Sequence, residues 1–125
     1  MTQDAVSLTR SLLRFETINP PGRERVCARF AASMLKEWGY SVEYHEYADS
    51  RTSVIARAGA SDQKAPLCLT GHLDVVPLGA REWSKDPFAG DTDGDNLYGG
   101  GTTDMKAGVA AILMAARTFS RKLDK

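Results

Sequence analysis

The residues whose types and spacing could do chemistry lie between Cys68 and Gly108. His72 stands two positions before Asp74, in Thr70-Gly-His-Leu-Asp74, and Asp104 follows 32 positions after His72, behind Gly99-Gly-Gly101 and two threonines. Neutral imidazole is the commonest metal ligand, and its second nitrogen normally donates to a carboxylate that fixes the ring. A histidine, a carboxylate two residues on and a distant Asp beside a glycine turn are therefore the parts of a metal site. Each part also has a plainer reading. A lone His-x-Asp triplet more often has a structural or merely polar role, and Asp104 fits a helix N-cap.

Rival chemistries fit less well. Gly99-x-Gly101 between a strand and a helix suggests a nucleotide loop, but Asp104 replaces the third glycine of the fingerprint and would repel a pyrophosphate. No Walker-type Gly-Lys-Ser/Thr occurs. Asp91-Thr-Asp93-Gly-Asp95-Asn96 resembles a calcium loop only superficially. Its glycine is fourth rather than sixth, and the twelfth place holds Thr102 instead of Glu, so it reads as a solvated turn. There is no Gly-x-Ser-x-Gly nucleophile elbow. Cys27 and Cys68, on a predicted helix and a predicted buried strand, read as reduced core residues. A thiol enzyme would need an electropositive setting for Cys68, and the sequence offers no partner for it. His45 reads as an exposed strand residue.

The elements that must position these residues are legible from periodicity. Ala5, Leu8, Leu12 and Phe15 recur at helical spacing and predict a helix over 3–15, stopped before Asn19-Pro-Pro-Gly22. Val26, Phe30, Met34, Leu35 and Trp38 predict a second helix over 23–38, with Gly39 as its C′ residue. Tyr40 to Tyr47 alternates as a strand, Asp49-Ser50 turns, and Thr52 to Arg57 returns. Gly59 to Lys64 reads as a polar loop. Pro66 to Thr70 is a short apolar run, expected as a strand covered on both faces. Residues 75–90 read as a loop anchored by Trp83 and Phe88, and Asp93-Gly94 as a hairpin turn with Asp95 to Tyr98 returning. Met105 to about Phe119 is apolar nearly all round, the pattern of a buried helix. The expected fold class is α/β, with helices packed on a mixed, mostly parallel sheet.

At 125 residues the chain suits one domain rather than two. Sixteen basic and sixteen acidic residues cancel, so charge gives no reason to expect nucleic acid or an anionic membrane as partner. The longest apolar run falls short of the ~20 residues that span a bilayer. The first residues show no basic stretch followed by an apolar one, so a cytoplasmic location is expected. No internal repeat, low-complexity tract or linker is present.

Four ordered segments carry a family resemblance: Thr17-Ile-Asn-Pro-Pro-Gly-Arg-Glu24, Thr70-Gly-His-Leu-Asp-Val-Val-Pro77, Trp83-Ser-Lys-Asp-Pro-Phe88 and Asp93-Gly-Asp-Asn-Leu-Tyr-Gly-Gly-Gly-Thr-Thr-Asp-Met-Lys106. Together they resemble the N-terminal part of the M20 metallopeptidases, the acetylornithine deacetylase and succinyl-diaminopimelate desuccinylase group. The resemblance implies that residues 1–125 are the N-terminal portion of a single zinc-exopeptidase-like catalytic domain. The remainder of that domain and a dimerisation domain are then expected outside this sequence. It implies that His72 binds a metal, that Asp74 orients it in a catalytic role, and that Asp104 bridges two Zn2+ ions, for which Co2+ can substitute. The expected activity is hydrolysis of the amide bond of N-acyl amino acids or similar small amides or peptides, by a homodimer in the complete enzyme. A cis peptide bond after Asp104 is implied as well. Gly100 stands where the family usually has Arg, and the family's Glu-Glu pair and late His have no counterpart here, since no Glu or His follows Asp104. The alternative is a truncated, non-catalytic chain or a metal-free partner-binding domain.

Overall fold

The computed structural model describes residues 3–59 and 64–123. Three helices, α1 (Ala5–Leu13), α2 (Arg25–Glu37) and α3 (Ala107–Leu123), enclose the core. Leu8 and Leu12 of α1, Cys27, Ala31 and Met34 of α2, and Ala110 and Leu113 of α3 meet there. The Phe15 and Phe30 rings close one end, with centroids 5.3 Å apart. Leu8, Leu12 and Met34 are buried as the sequence spacing marks, but Ala5 and Val26 of the expected stripes are exposed, and Cys27 and Ala31 form the buried face of α2 instead.

The helix ends follow from local chemistry. Asp4 caps α1 with a capping box: its carboxylate accepts from the Ser7 amide at 2.7 Å, and Ser7 Oγ accepts from the Asp4 amide at 3.1 Å. Gly39 ends α2 in the left-handed region, φ 88°, with its amide on the Lys36 carbonyl and that of Tyr40 on Leu35. That double bond is a Schellman close, as the glycine foretells.

Strands β1 (Ser41–Ala48) and β2 (Arg51–Arg57) form an antiparallel hairpin with Ser41 opposite Arg57 and a register shift between Glu46 and Ala48. Its tip docks on the start of α2. There the Arg25 amide donates to the Ser50 carbonyl at 3.0 Å, and the Arg25 guanidinium pairs with Glu46 and Asp49. Strands β3 (Thr92–Asp93) and β4 (Asn96–Leu97) flank the Asp-Gly turn. Of the expected Gly59–Lys64 loop, residues 60–63 lie outside the described residues.

Four expectations fail, and the fold class holds only as a mixed α/β arrangement. No parallel sheet forms among the described residues: both sheets are two-stranded and antiparallel, and parallel pairing is confined to the single bridge Ile18–Val75. Residues 66–70 therefore pair with no strand and are exposed, Leu67 by 86% and Leu69 by 52%. Cys68 is exposed with them, against the expectation of a core thiol, whereas Cys27 is buried as expected. An apolar run marks a segment suited to a covered strand, but a strand exists only where neighbouring backbones supply its hydrogen bonds. Likewise α3 runs past Phe119 and buries one face, through Ala110, Leu113 and Ser120, while Phe119 is 51% exposed. Helices α1 and α2 cover only that side. No helix among the described residues is long and apolar enough to cross a membrane.

Candidate metal centre

Residues 15–19, just beyond α1, position both halves of the site. The segment bearing His72 is tied down by the Thr17 hydroxyl donating to the Leu73 carbonyl at 2.6 Å. The Val75 amide donates to Thr17 O at 3.0 Å, and the Asn19 amide to Val75 O at 2.8 Å. The segment bearing Asp104 is tied down by Lys106, which is fully buried and donates from Nζ to the Phe15 carbonyl at 2.7 Å. Burial holds the Lys106 ammonium below the usual lysine range.

Between these anchors the two segments touch. Gly101 lies against Val75 so closely that an added Cβ would fall 2.1 Å from Val75 Cγ1, and its φ of 88° is one that L side chains rarely adopt. Residues Thr102–Lys106 then make an irregular turn, not a regular helix, with Asp104 at φ −131°, ψ 95° and the Lys106 amide reaching back to Gly101 O at 2.9 Å. The Asp104–Met105 peptide bond is cis, as the resemblance implies. Met105 Sδ accepts from the His72 amide at 3.4 Å.

These anchors bring the sequence-predicted residues together. His72 Nε2 lies 2.9 Å from Asp104 Oδ1. On the other edge of the ring, Nδ1 lies 2.9 Å from the Asp74 carbonyl and 3.2 Å from Asp74 Oδ1. Among the described residues Asp104 caps no backbone amide; its carboxylate faces His72. The Asp74 carbonyl, and then the Asp104 carboxylate, hold the imidazole above its ordinary pKa, partly offset by burial.

With both ring nitrogens facing oxygen, a neutral ring that donates from Nδ1 leaves an Nε2 lone pair against a carboxylate. A proton or a cation resolves that conflict. Imidazole nitrogen and carboxylate oxygen are donor types that suit zinc, and His72 and Asp104 would present them together. The donor set fits one edge of a metal site and no more. Among the described residues no group of three His, Cys, Asp or Glu side chains could hold a metal ion. Asp74 sits on the Nδ1 side, as an orienting group would.

Four residues that sequence reasoning left without roles complete the surroundings. Asn19 Nδ2 donates to Asp74 Oδ2 at 2.9 Å, and Arg51 contacts the same oxygen at 3.4 Å while pairing with the buried Glu24 at 2.6 Å. Asn19 and Glu24 lie within the Thr17–Glu24 motif and Lys106 ends the last motif, so those segments were visible. Arg51 carried no local signal.

Residues 68–125 match the family model described as peptidase family M20/M25/M40. The chain is 38% identical over 117 residues to a succinyl-diaminopimelate desuccinylase of Wolbachia sp. subsp. Brugia malayi, covering 92% of this chain and 29% of that protein. It is 36% identical over 124 residues to one of Methylocella silvestris, covering 95% and 31%. With one of Acinetobacter baylyi it shares 33% over 120 residues, covering 95% and 30%. The chain thus spans about three tenths of the length of these curated relatives.

Proposed function

We propose that this chain, whose residues 68–125 match the model of peptidase family M20/M25/M40, is the N-terminal portion of the catalytic domain of a zinc-dependent amidohydrolase. Its proposed substrate is an N-acyl amino acid or similar small amide. The desuccinylase relatives make an N-succinyl amino acid the first candidate. The observation that carries the reading is the 2.9 Å approach of His72 Nε2 to Asp104 Oδ1, between side chains 32 positions apart.

In this reading His72 and Asp104 would both hold the metal, His72 through Nε2 and Asp104 through its carboxylate. Bound zinc supplies Lewis-acid polarisation of the scissile carbonyl and lowers the pKa of water. The chain's own residues hold and orient: Asp74 keeps a proton on Nδ1 so that Nε2 is the free donor, and Lys106 and Gly101 fix the turn that presents Asp104. The remaining ligands and a carboxylate base belong to the rest of a longer polypeptide, which we place in the cytoplasm as a homodimer.

The test is hydrolysis of a panel of N-acyl amino acids, N-succinyl-diaminopimelate among them, by the polypeptide that carries this chain, with Zn2+ or Co2+. His72→Ala and Asp104→Ala should each abolish turnover, and the 125-residue chain alone should show none. Turnover by the chain alone above its His72→Ala control would overturn the assignment of the base and other ligands to the rest of the polypeptide. Undiminished turnover in either variant would overturn the site.

A further inference from the structure

We propose that Arg51 and Glu24 are positioning residues that fix the Asp74 carboxylate, and through it the His72 ring, from the side away from Asp104. The residue named as ligand rests on the reading above; the contacts do not.

Glu24 is 5% exposed at the start of α2, where its carboxylate does not cap the helix. It faces the guanidinium of Arg51 instead, accepting from NH2 at 2.6 Å and from Nε at 3.1 Å. Arg51 is hemmed in on two further sides. Its guanidinium lies over the Tyr47 ring, 5.4 Å from the centroid. Across from it stands Gly22 of the Pro-Pro-Gly turn, where an added Cβ would come within 2.7 Å of Arg51 Nε. Held between these groups, NH2 also meets Asp74 Oδ2 at 3.4 Å.

The consequence falls on Asp74. Oδ2 accepts from both Asn19 Nδ2 and Arg51, which leaves Oδ1 turned toward His72 Nδ1 at 3.2 Å. A carboxylate engaged at both oxygens has little freedom to rotate, and it is held as a fixed negative charge 3.2 Å from Nδ1, whose hydrogen bond goes to the Asp74 carbonyl at 2.9 Å. An ion pair serving stability alone would need only Glu24 and Arg51. The third contact is what couples the pair to the site: NH2 reaches both carboxylates, while Nε, also on Glu24, fixes the guanidinium plane that aims NH2 at Asp74. Lysine has no second nitrogen to fix that aim.

The neutral His72 ring reports this directly, without metal. Long-range proton–nitrogen NMR of the 15N-histidine-labelled polypeptide that carries this chain, at a pH where the ring is neutral, with His72 assigned by His72→Gln, measures the ratio of the Nδ1–H to the Nε2–H tautomer. Arg51→Lys, Arg51→Ala and Glu24→Gln should each shift that ratio toward Nε2–H by roughly threefold, as the Asp74 carboxylate loses its fixed place beside Nδ1–H while the Asp74 carbonyl keeps its bond to it. A merely structural pair would lower the melting temperature and leave the ratio unchanged, and that result in any folded Arg51 variant overturns the proposal. If the substitutions prevent folding, the unsubstituted chain answers through its Arg51 guanidinium. Rotation about Cζ–NH2 should be slowed because the fork is held at two carboxylates; free rotation overturns the proposal. Adding Co2+ to the unsubstituted polypeptide that carries this chain separates the two claims. Absence of paramagnetic broadening at His72 would count against the metal centre while the tautomer ratio still decides the positioning pair.

Discussion

Lys106→Met is the most informative single perturbation, because it removes one ammonium group and retains most of the buried stem. Lys106 is wholly enclosed, and its one hydrogen bond is to the Phe15 carbonyl at 2.7 Å. A hydrogen bond from a charged donor contributes about 1.5–3 kcal/mol, and the carbonyl left without a partner adds to the loss. Against this stands the relief of no longer holding an ammonium away from water, the penalty that lowers its pKa. The two effects together leave Lys106→Met less stable by about 1–3 kcal/mol. Lys106→Ala also loses three stem methylenes at about 0.8 kcal/mol each, which brings its cost to about 3–5 kcal/mol. Urea unfolding should show the midpoint falling in that order at unchanged slope. A methionine variant as stable as the parent, or more stable, would refute the reasoning: the buried charge would then cost at least what its hydrogen bond returns.

The two cysteines should differ sharply in reactivity. Burial pushes the Cys27 thiol up to about 11, so at pH 8 roughly one in a thousand is thiolate, against about a quarter for a free thiol. Ellman's reagent should therefore titrate one thiol quickly, lost in Cys68→Ser, and the second only on unfolding. Protection of Cys68 would mean that residues 66–70 are covered. Gly101→Ala should cost about 2–5 kcal/mol, the sum of left-handed strain and overlap with Val75; a shift under about 1 kcal/mol in urea would contradict the close approach of the two segments. Exposed Leu67, Leu69 and Val76 should bind an apolar dye, and Leu67→Ser with Leu69→Ser should reduce the fluorescence. An unchanged signal would place the binding elsewhere.

What was legible in the sequence was what repeats locally. Leu8 and Leu12 mark the buried face of α1 by spacing alone, the alternation of 40–47 gives β1, and Gly39 closes α2 where a left-handed residue is required. His72 and Asp104 were legible as residue types beside glycine turns, and the structure brings them face to face. Pro66 to Thr70 was misread because apolarity reports a preference for burial and says nothing of which backbone supplies the pairing. The roles of Arg51 and Lys106 were unreadable for a related reason, although Lys106 lies within a visible motif. A charged side chain at a strand start or in a first helical turn reads as solvated until the fold places Glu24, Asp74 or Phe15 O beside it.

Both halves of the site take their position from one short stretch, through Thr17 and Asn19 for His72 and through Phe15 for Asp104. Any shift of that stretch relative to the rest of the molecule is then common-mode: it carries imidazole and carboxylate together and cancels in the vector between them. The separation of the two groups can thus be held more tightly than the place of either in the fold. It is a differential measurement built from a shared reference, and it tolerates breathing of the hairpin or the helices so long as residues 15–19 move as one.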